Sequence, residues 1–374
     1  MPAVALRLLA DDLTGALDTA AQFCGATGPV AVRFVPGDWR VAEPRLAFST
    51  DTRDRSADEA RAILADSAGF FAGADIAFLK VDSLLRGHAA AGLAQVFRDG
   101  GFRSCVFAPA FPAQRRVTRD GAQFARSLDG IWHDVHPGFT EGLARTGLRV
   151  RLTSDAAKLA GWGVFVCDAD SDADLIQVVA HAVALAPPLL WCGSAGLARA
   201  VANAAVPRTA VPPSPLLVVA GSNHAVTRAQ VAALQQARPE LVVDLREGED
   251  DVSRVRELLA RGGVAAVTFA VDEGIAQDAA AQRIRKMLGT LLPRLDRPRG
   301  LFVTGGETLA AVASATGANA FTVGGEVVPG LPCSLLCGGI WDGVRTVSKS
   351  GAFGEADLLV RIVASAGAPV EAVP

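Results

Sequence analysis

The chain has 374 residues, half of them hydrophobic and one fifth charged, with a formal net charge of −3. That length exceeds one ordinary core and favours two domains, while the near-neutral balance excludes a general attraction to nucleic acid or anionic membrane. No apolar run reaches the roughly eighteen residues of a membrane span, and acids at positions 11 and 12 break the place of a secretory apolar region. A cytoplasmic protein is expected.

Residues 4–10 are apolar except for Arg7 and have the length of a buried strand. They run into Asp11-Asp12-Leu13-Thr14-Gly15-Ala16 and a small-residue helix over 14–24. Ligands of open α/β sheets bind at strand carboxyl ends, so the two acids mark the mouth of a site. Side chains adjacent at a strand end point oppositely: one acid can face a ligand while the other caps the helix. Capping by both is the plain alternative.

Residues 45–50 predict a strand ending in Asp51-Thr52-Arg53-Asp54-Arg55-Ser56, with Ser56 and Glu59 spaced as a capping box. Residues 76–79 predict another, ending in Lys80-Val81-Asp82-Ser83-Leu84-Leu85-Arg86-Gly87-His88 before a helix over 89–97. A strand at 104–108 leads into 109–118, whose two prolines and two arginines read as a rigid basic loop. Strands at 163–167, ending in Asp168, Asp170 and Asp172, and at 188–192, ending in Gly193-Ser194-Ala195-Gly196, complete the first series.

Residues 204–215 hold four prolines and read as a linker. Beyond it come a strand at 216–220, the turn Gly221-Ser222-Asn223-His224 and a helix over 226–238. Strands at 264–269 and 300–304 follow, the latter ending in Gly305-Gly306-Glu307-Thr308 before a helix over 309–315. A last strand at 344–348 ends in Lys349-Ser350-Gly351-Ala352-Phe353-Gly354. The alternation predicts an α/β protein: two doubly wound domains with largely parallel sheets and a cleft between them. The expected boundaries are 1–203 and 216–374, joined by 204–215.

Four strand ends of the first half carry Asp12, Asp51 with Arg53, Lys80 with Asp82 and Ser83, and Arg115 with Arg116. Converging on one sheet edge, the cations suit a small acid's carboxylate and the carboxylates its hydroxyls. The second half has no G-x-x-x-x-G-K-[ST] loop and no G-x-G-x-x-G. Its glycine turns before helices nevertheless fit a nucleotide phosphate, which backbone N–H groups can approach closely. One helix dipole supplies only ~0.3–1 kcal/mol, so several such loops must act together. Lysine occurs only at 80, 158, 286 and 349 in an arginine-rich chain, which marks Lys80 and Lys349 as positions where a compact ammonium is needed. Lys80 is expected beside the small acid of the first half and Lys349 beside the phosphate of the second. The six cysteines read as free thiols, and neither Cys333/Cys337 nor His133/His136 has a partner pair at zinc spacing.

Asp-Asp-Leu-Thr-Gly-Ala, Lys-Val-Asp-Ser-Leu-Leu-Arg-Gly, Pro-Ala-Phe-Pro, Gly-Ser-Ala-Gly-Leu-Ala, Gly-Gly-Glu-Thr and Lys-Ser-Gly-Ala-Phe-Gly resemble, in order, the motifs of the four-carbon acid sugar kinases. The resemblance implies an N-terminal domain that binds a sugar acid such as threonate, erythronate or 3-oxo-tetronate. It implies a C-terminal domain that binds ATP, with Mg²⁺. Carried over by position, Asp12, Arg53, Lys80, Val81, Asp82, Ser83 and Arg86 contact substrate, with Asp12 the expected general base and Asp82 its rival. Ser222, Gly305, Gly306, Glu307, Thr308, Lys349 and Gly351 contact nucleotide. No metal ligand is assigned. Leu84 stands where Thr is commoner, and Asn223-His224 alters a usually Ser-rich turn. The expected partners are a sugar acid and ATP, with neither nucleic acid nor membrane, and a homo-oligomer is compatible with the reading. Two alternatives remain: a non-catalytic sugar-acid sensor, which leaves the glycine loops without a job, and a phosphatase, which lacks the Asp-x-Asp-x-Thr spacing.

Overall fold

The structure, a computed structural model, describes residues 4–35, 43–67, 69–127, 129–248, 250–270 and 277–366. The chain divides into two compact units, Met1–Val206 and Pro207–Pro374.

The N-terminal unit is built on strands β1 (Leu6–Ala10), β2 (Val30–Arg33), β3 (Arg45–Ser49), β4 (Ile76–Lys80), β5 (Ser104–Ala108), β9 (Val150–Thr153), β10 (Gly163–Cys167) and β11 (Leu189–Gly193), with β6 (Arg116–Arg119), β7 (Ala122–Arg126) and β8 (Trp132–Asp134) apart. The main strands are parallel, in the order β2-β3-β1-β4-β11-β5-β10-β9. Helices α1 (Leu13–Thr27), α2 (Ala57–Asp66), α3 (Ala89–Asp99), α4 (Phe139–Arg145), α5 (Asp172–His181) and α6 (Ala195–Ala202) lie between them in the chain. Strands such as Gly-Val-Phe-Val-Cys and Ser-Cys-Val-Phe-Ala are buried on both faces, which is why their hydrophobicity does not alternate. Each Leu or Phe so buried contributes ~1.5–3 kcal/mol. From β1 the chain goes out to β2, comes back to β3 beside β1, then passes to β4 on the other side of β1. The order therefore reverses between β1 and β4, where a crevice opens at the carboxyl ends.

The C-terminal unit repeats the scheme. Its strands are β12 (Leu216–Ala220), β13 (Val242–Leu245), β14 (Val264–Phe269), β15 (Gly300–Thr304), β16 (Ala320–Glu326), β17 (Pro332–Cys337) and β18 (Arg345–Lys349), in the order β13-β14-β12-β15-β18-β17-β16. All pair in parallel except around β17, which is antiparallel to both neighbours. Helices α7 (Ala225–Ala237), α8 (Val252–Ala260), α9 (Gln277–Leu291), α10 (Gly306–Thr316) and α11 (Leu358–Ala366) complete it. The order reverses between β12 and β15, so the two turns Gly221-Ser222 and Gly305-Gly306 follow the strands that flank the switch.

The stretch expected as a rigid basic loop is in part a strand. After one 3₁₀ turn at Pro112–Gln114, residues from Arg116 onward form β6, paired antiparallel to β7, which pairs with β8. Asp120 and Gly121, both at positive φ (51° and 73°), make the two-residue turn between β6 and β7. Asp-Gly is a strong hairpin signal, and the prolines and arginines nearby masked it. The Asp168 carboxylate receives the backbone N–H groups of both turn residues, and Arg119 pairs with Asp170, so acids that follow β10 hold this small sheet in place.

Candidate functional site

Asp12 ends the β1 turn in extended backbone and caps α1, its Oδ1 accepting the Gly15 N–H at 2.9 Å. Its Oδ2 accepts the Thr14 hydroxyl at 2.6 Å. Capping does not use it up: Oδ1 also receives Arg53 Nη2 at 2.7 Å. Asp11 takes the fork of the same guanidinium, Nε at 2.9 Å and Nη2 at 2.7 Å. The two acids therefore share one arginine, and neither is a cap alone. Backbone N–H groups of Thr52 and Arg53 donate to the Asp11 carbonyl, which fixes the β3 loop against the β1 turn. Among the described residues Arg53 Nη1 has no hydrogen bond.

Lys80, the last residue of β4, is 6% exposed, and no ion pair or hydrogen bond reaches its ammonium among the described residues. A Cβ placed on Gly15 would stand 2.3 Å from Asp12 Oδ1 and 3.1 Å from Lys80 Nζ. Glycine at 15 thus leaves room for a carboxylate and an ammonium around one point. Asp82 is buried and pairs with Arg86 Nε at 2.5 Å. Burial works to raise its pKa, but Arg53, Arg86 and Lys80 outweigh it and hold the carboxyl well below the usual range. Asp12 is likewise penalised by burial and carried below its ordinary value by Arg53 and Lys80. Asp11 goes the other way, pushed up by burial with Asp12 beside it.

The remaining substrate-side residues divide. Val81 is a core side chain whose backbone N–H donates to the Gly193 carbonyl, so it joins β4 to β11. The Ser83 hydroxyl receives Arg116 Nη1, and its carbonyl receives Gln123 Nε2 at 2.9 Å. Arg116 is one of the strand-end charges, but no motif singled it out as a ligand. Burial lowers the pKa of its guanidinium, whose one hydrogen bond among the described residues is to a neutral hydroxyl. Gly193-Ser194-Ala195-Gly196 serves packing: a Cβ on Gly193 would stand 2.2 Å from the Ala108 carbonyl oxygen, and Ser194 caps α6.

In the C-terminal unit three glycine turns meet. A Cβ on Gly351 would stand 2.1 Å from Ser222 Oγ, one on Gly305 3.1 Å from Ser222 Cβ, and one on Gly221 2.5 Å from Thr308 Oγ1. Gly305, at φ 92°, opens α10 without a side-chain cap, and its N–H donates to the Lys349 carbonyl at 2.9 Å. Ser222, Gly305, Gly306, Thr308 and Gly351 are thus brought together, with Glu307 exposed on the first turn of α10. This is a cradle kept open by missing side chains, of the kind that receives phosphate oxygens.

Lys349 differs from its expected role. The residue is 1% exposed and its ammonium turns inward, donating to Thr227 Oγ1 at 3.0 Å and to the carbonyls of Ser350 (3.1 Å), Gly351 (3.4 Å) and Phe353 (3.2 Å). Thr227 in turn donates to the Gly351 carbonyl, and Gln230 Nε2 holds those of Phe353 and Glu355. Lys349 shapes the loop from within, and burial lowers its pKa to about 7. No motif marks Thr227 and Gln230 in the sequence; it is their burial, three residues apart on one helix, that places them under this loop.

Two family descriptions match the chain: a sugar-binding N-terminal domain over residues 6–136 and a nucleotide-binding C-terminal domain over 217–359. The chain is 30% identical to a D-threonate kinase of Bordetella bronchiseptica, over 95% of this chain and 96% of that relative. A 3-oxo-tetronate kinase of Methylobacterium radiotolerans is 28% identical, over 96% and 98%. A solved structure from Salmonella typhimurium LT2 shares the fold with a TM-score of 0.72 at 20% identity, covering 95% of this chain and 97% of that one. With its motifs in order and relatives matched over nearly their whole length, the chain belongs to the four-carbon acid sugar kinases.

Proposed function

We propose that this protein transfers the γ-phosphoryl group of ATP to a hydroxyl of a four-carbon sugar acid, of the D-threonate or 3-oxo-tetronate kind, in carbohydrate catabolism. The observation that carries the reading is the cation set around Asp12. Among the described residues Arg53 Nη1 and the Lys80 ammonium have no hydrogen bond and the Arg116 guanidinium has only the Ser83 hydroxyl, so donors are left over at the β1/β4 switch. A small carboxylate supplies the missing anion, and its hydroxyls find Asp12 and Ser83.

Asp12 orients the attacking hydroxyl and takes its proton; Asp82, ionised and tied to Arg86, steadies the cations. Phosphoryl transfer depends mainly on positioning and on neutralising charge, so a carboxylate of low basicity suffices. The Ser222, Gly305, Gly306, Thr308 and Gly351 cradle would receive the triphosphate through backbone N–H groups, with Lys349 holding its loop in shape. Mg²⁺ would neutralise phosphate charge there. It is held through phosphate oxygens and water in many kinases, which asks no dedicated cage of the protein. A coupled ADP-release assay across stereoisomeric tetronates tests the reading. Turnover with one tetronate far above the others is expected; ADP release unaffected by any sugar acid would refute it.

A further inference from the structure

The C-terminal unit has a second concavity, at the strand ends opposite the glycine turns. It encloses about 530 Å³ and is lined by Arg297, Arg299 and Arg345, with Pro298, Leu335 and Val344 as apolar wall. Its walls are set by the fold. Arg299 directly precedes β15, whose first residue, Gly300, lies opposite Arg345 at the start of β18. A Cβ on Gly300 would stand 2.5 Å from the Pro213 carbonyl oxygen, so the linker packs tightly against this end of β15. Gly343, at φ 78°, lets Arg297 in: a Cβ there would stand 3.0 Å from its Nη2.

The chain has more acids (39) than bases (36), so charge balance alone does not force an arginine cluster without a carboxylate. Arg208, Arg238, Arg261, Arg294 and Arg361 of the same unit all form ion pairs. Among the described residues Arg297, Arg299 and Arg345 form none, no acid lines the cavity, and the nearby Asp342 accepts the Gly338 N–H instead. Three guanidinium groups held together without an anion repel one another, and each presents a fork that fits two oxygens of a phosphate or carboxylate.

We propose that this pocket is an accessory site for a small oxyanion of two or more negative charges, a phosphate ester or polycarboxylate. The volume suits a metabolite-sized molecule, and the Pro298, Val344 and Leu335 wall gives its carbon body a surface. A five-residue strand, ~17 Å long, separates this end of β15 from Gly305, so the site is distinct from the glycine cradle. It stands independently of the reaction proposed above.

Calorimetric titration at low ionic strength with pyrophosphate and, separately, tricarballylate tests it on the full chain. The variants are the double substitution Arg297→Ala/Arg345→Ala and the charge-matched control Arg238→Ala/Arg261→Ala, all at exposed positions. At least one probe should bind the unsubstituted protein, and its Kd should rise tenfold or more in the first variant only. Loss for pyrophosphate alone identifies a phosphate site, and loss for tricarballylate alone a carboxylate site. Equal weakening in both variants, an unchanged Kd in the first, or no binding of either probe would overturn the proposal.

Discussion

Asp12 is where a single atom separates chemistry from architecture. Asp12→Asn keeps an oxygen to cap α1 but removes the charge and the proton acceptor. Turnover should fall by about 10²–10⁴-fold while ATP protection against heat is kept. Normal turnover would remove Asp12 from the mechanism. Arg53→Ala is a blunter change, because it removes the guanidinium that Asp11 and Asp12 share. Loss of one partner of a buried pair costs ~3–5 kcal/mol, so a fall in Tm should accompany any rise in sugar-acid KM. Lys349 offers a test by pH. Folded, it releases its proton near pH 7; unfolded, it keeps it to near 10.5. Between those values the unfolded chain holds the extra proton, so this residue makes stability rise with pH across the window. Denaturant titrations from pH 7 to 10 should show that rise in the natural protein and its absence in Lys349→Met. A rise of equal size in both would mean that the amine is not buried as described. The rarity of lysine pointed to position 349, but not to the direction of its side chain. That direction depends on Thr227, more than a hundred residues earlier in the chain, and so is set by tertiary packing.

The glycine turns make their case at the level of elements. Gly306→Val adds a branched side chain at the first turn of α10, between Gly305 and the buried Thr308. ATP should lose its protective effect in this variant while a sugar acid still raises Tm. Loss of both effects together would make the turn a folding element. The buried strands were legible because an unbroken apolar run between turn residues leaves few alternatives, and β5, β10, β12, β14 and β15 span the expected residues. The short strands β2 and β13, of four residues each, carry too few apolar positions to stand out. β6–β8 were hidden by their arginines and proline-rich approach. Val117, Thr118 and Gln123 are buried, with Gln123 Nε2 on the Ser83 carbonyl and the Thr118 backbone paired with Ala169, both far away in sequence.

For the molecule as a whole, the carboxylates of the N-terminal unit set the behaviour in acid. Asp12 and Asp82 are held below their ordinary range, so their contribution to stability is present above the unfolded pKa, near 4, and is lost as pH falls through their folded values. Asp82→Asn should flatten the loss of stability below about pH 4; an unaltered acid limb would show that Asp82 is not paired in solution. The two units should also respond separately to ligand. Hydrogen exchange should slow over 11–16 and 80–87 with a sugar acid, and over 221–224, 305–308 and 350–354 with ATP. The same set of amides slowing with either ligand would contradict the division of labour. The most direct measurement is ³¹P NMR of the protein with Mg-ATP and D-threonate, erythronate or 3-oxo-tetronate in turn. A new phosphomonoester resonance should grow with one of them as the ATP γ signal falls, and should be nearly absent for Asp12→Asn. No monoester from any of these acids, or equal growth in the Asp12 variant, would contradict the proposed reaction or its site.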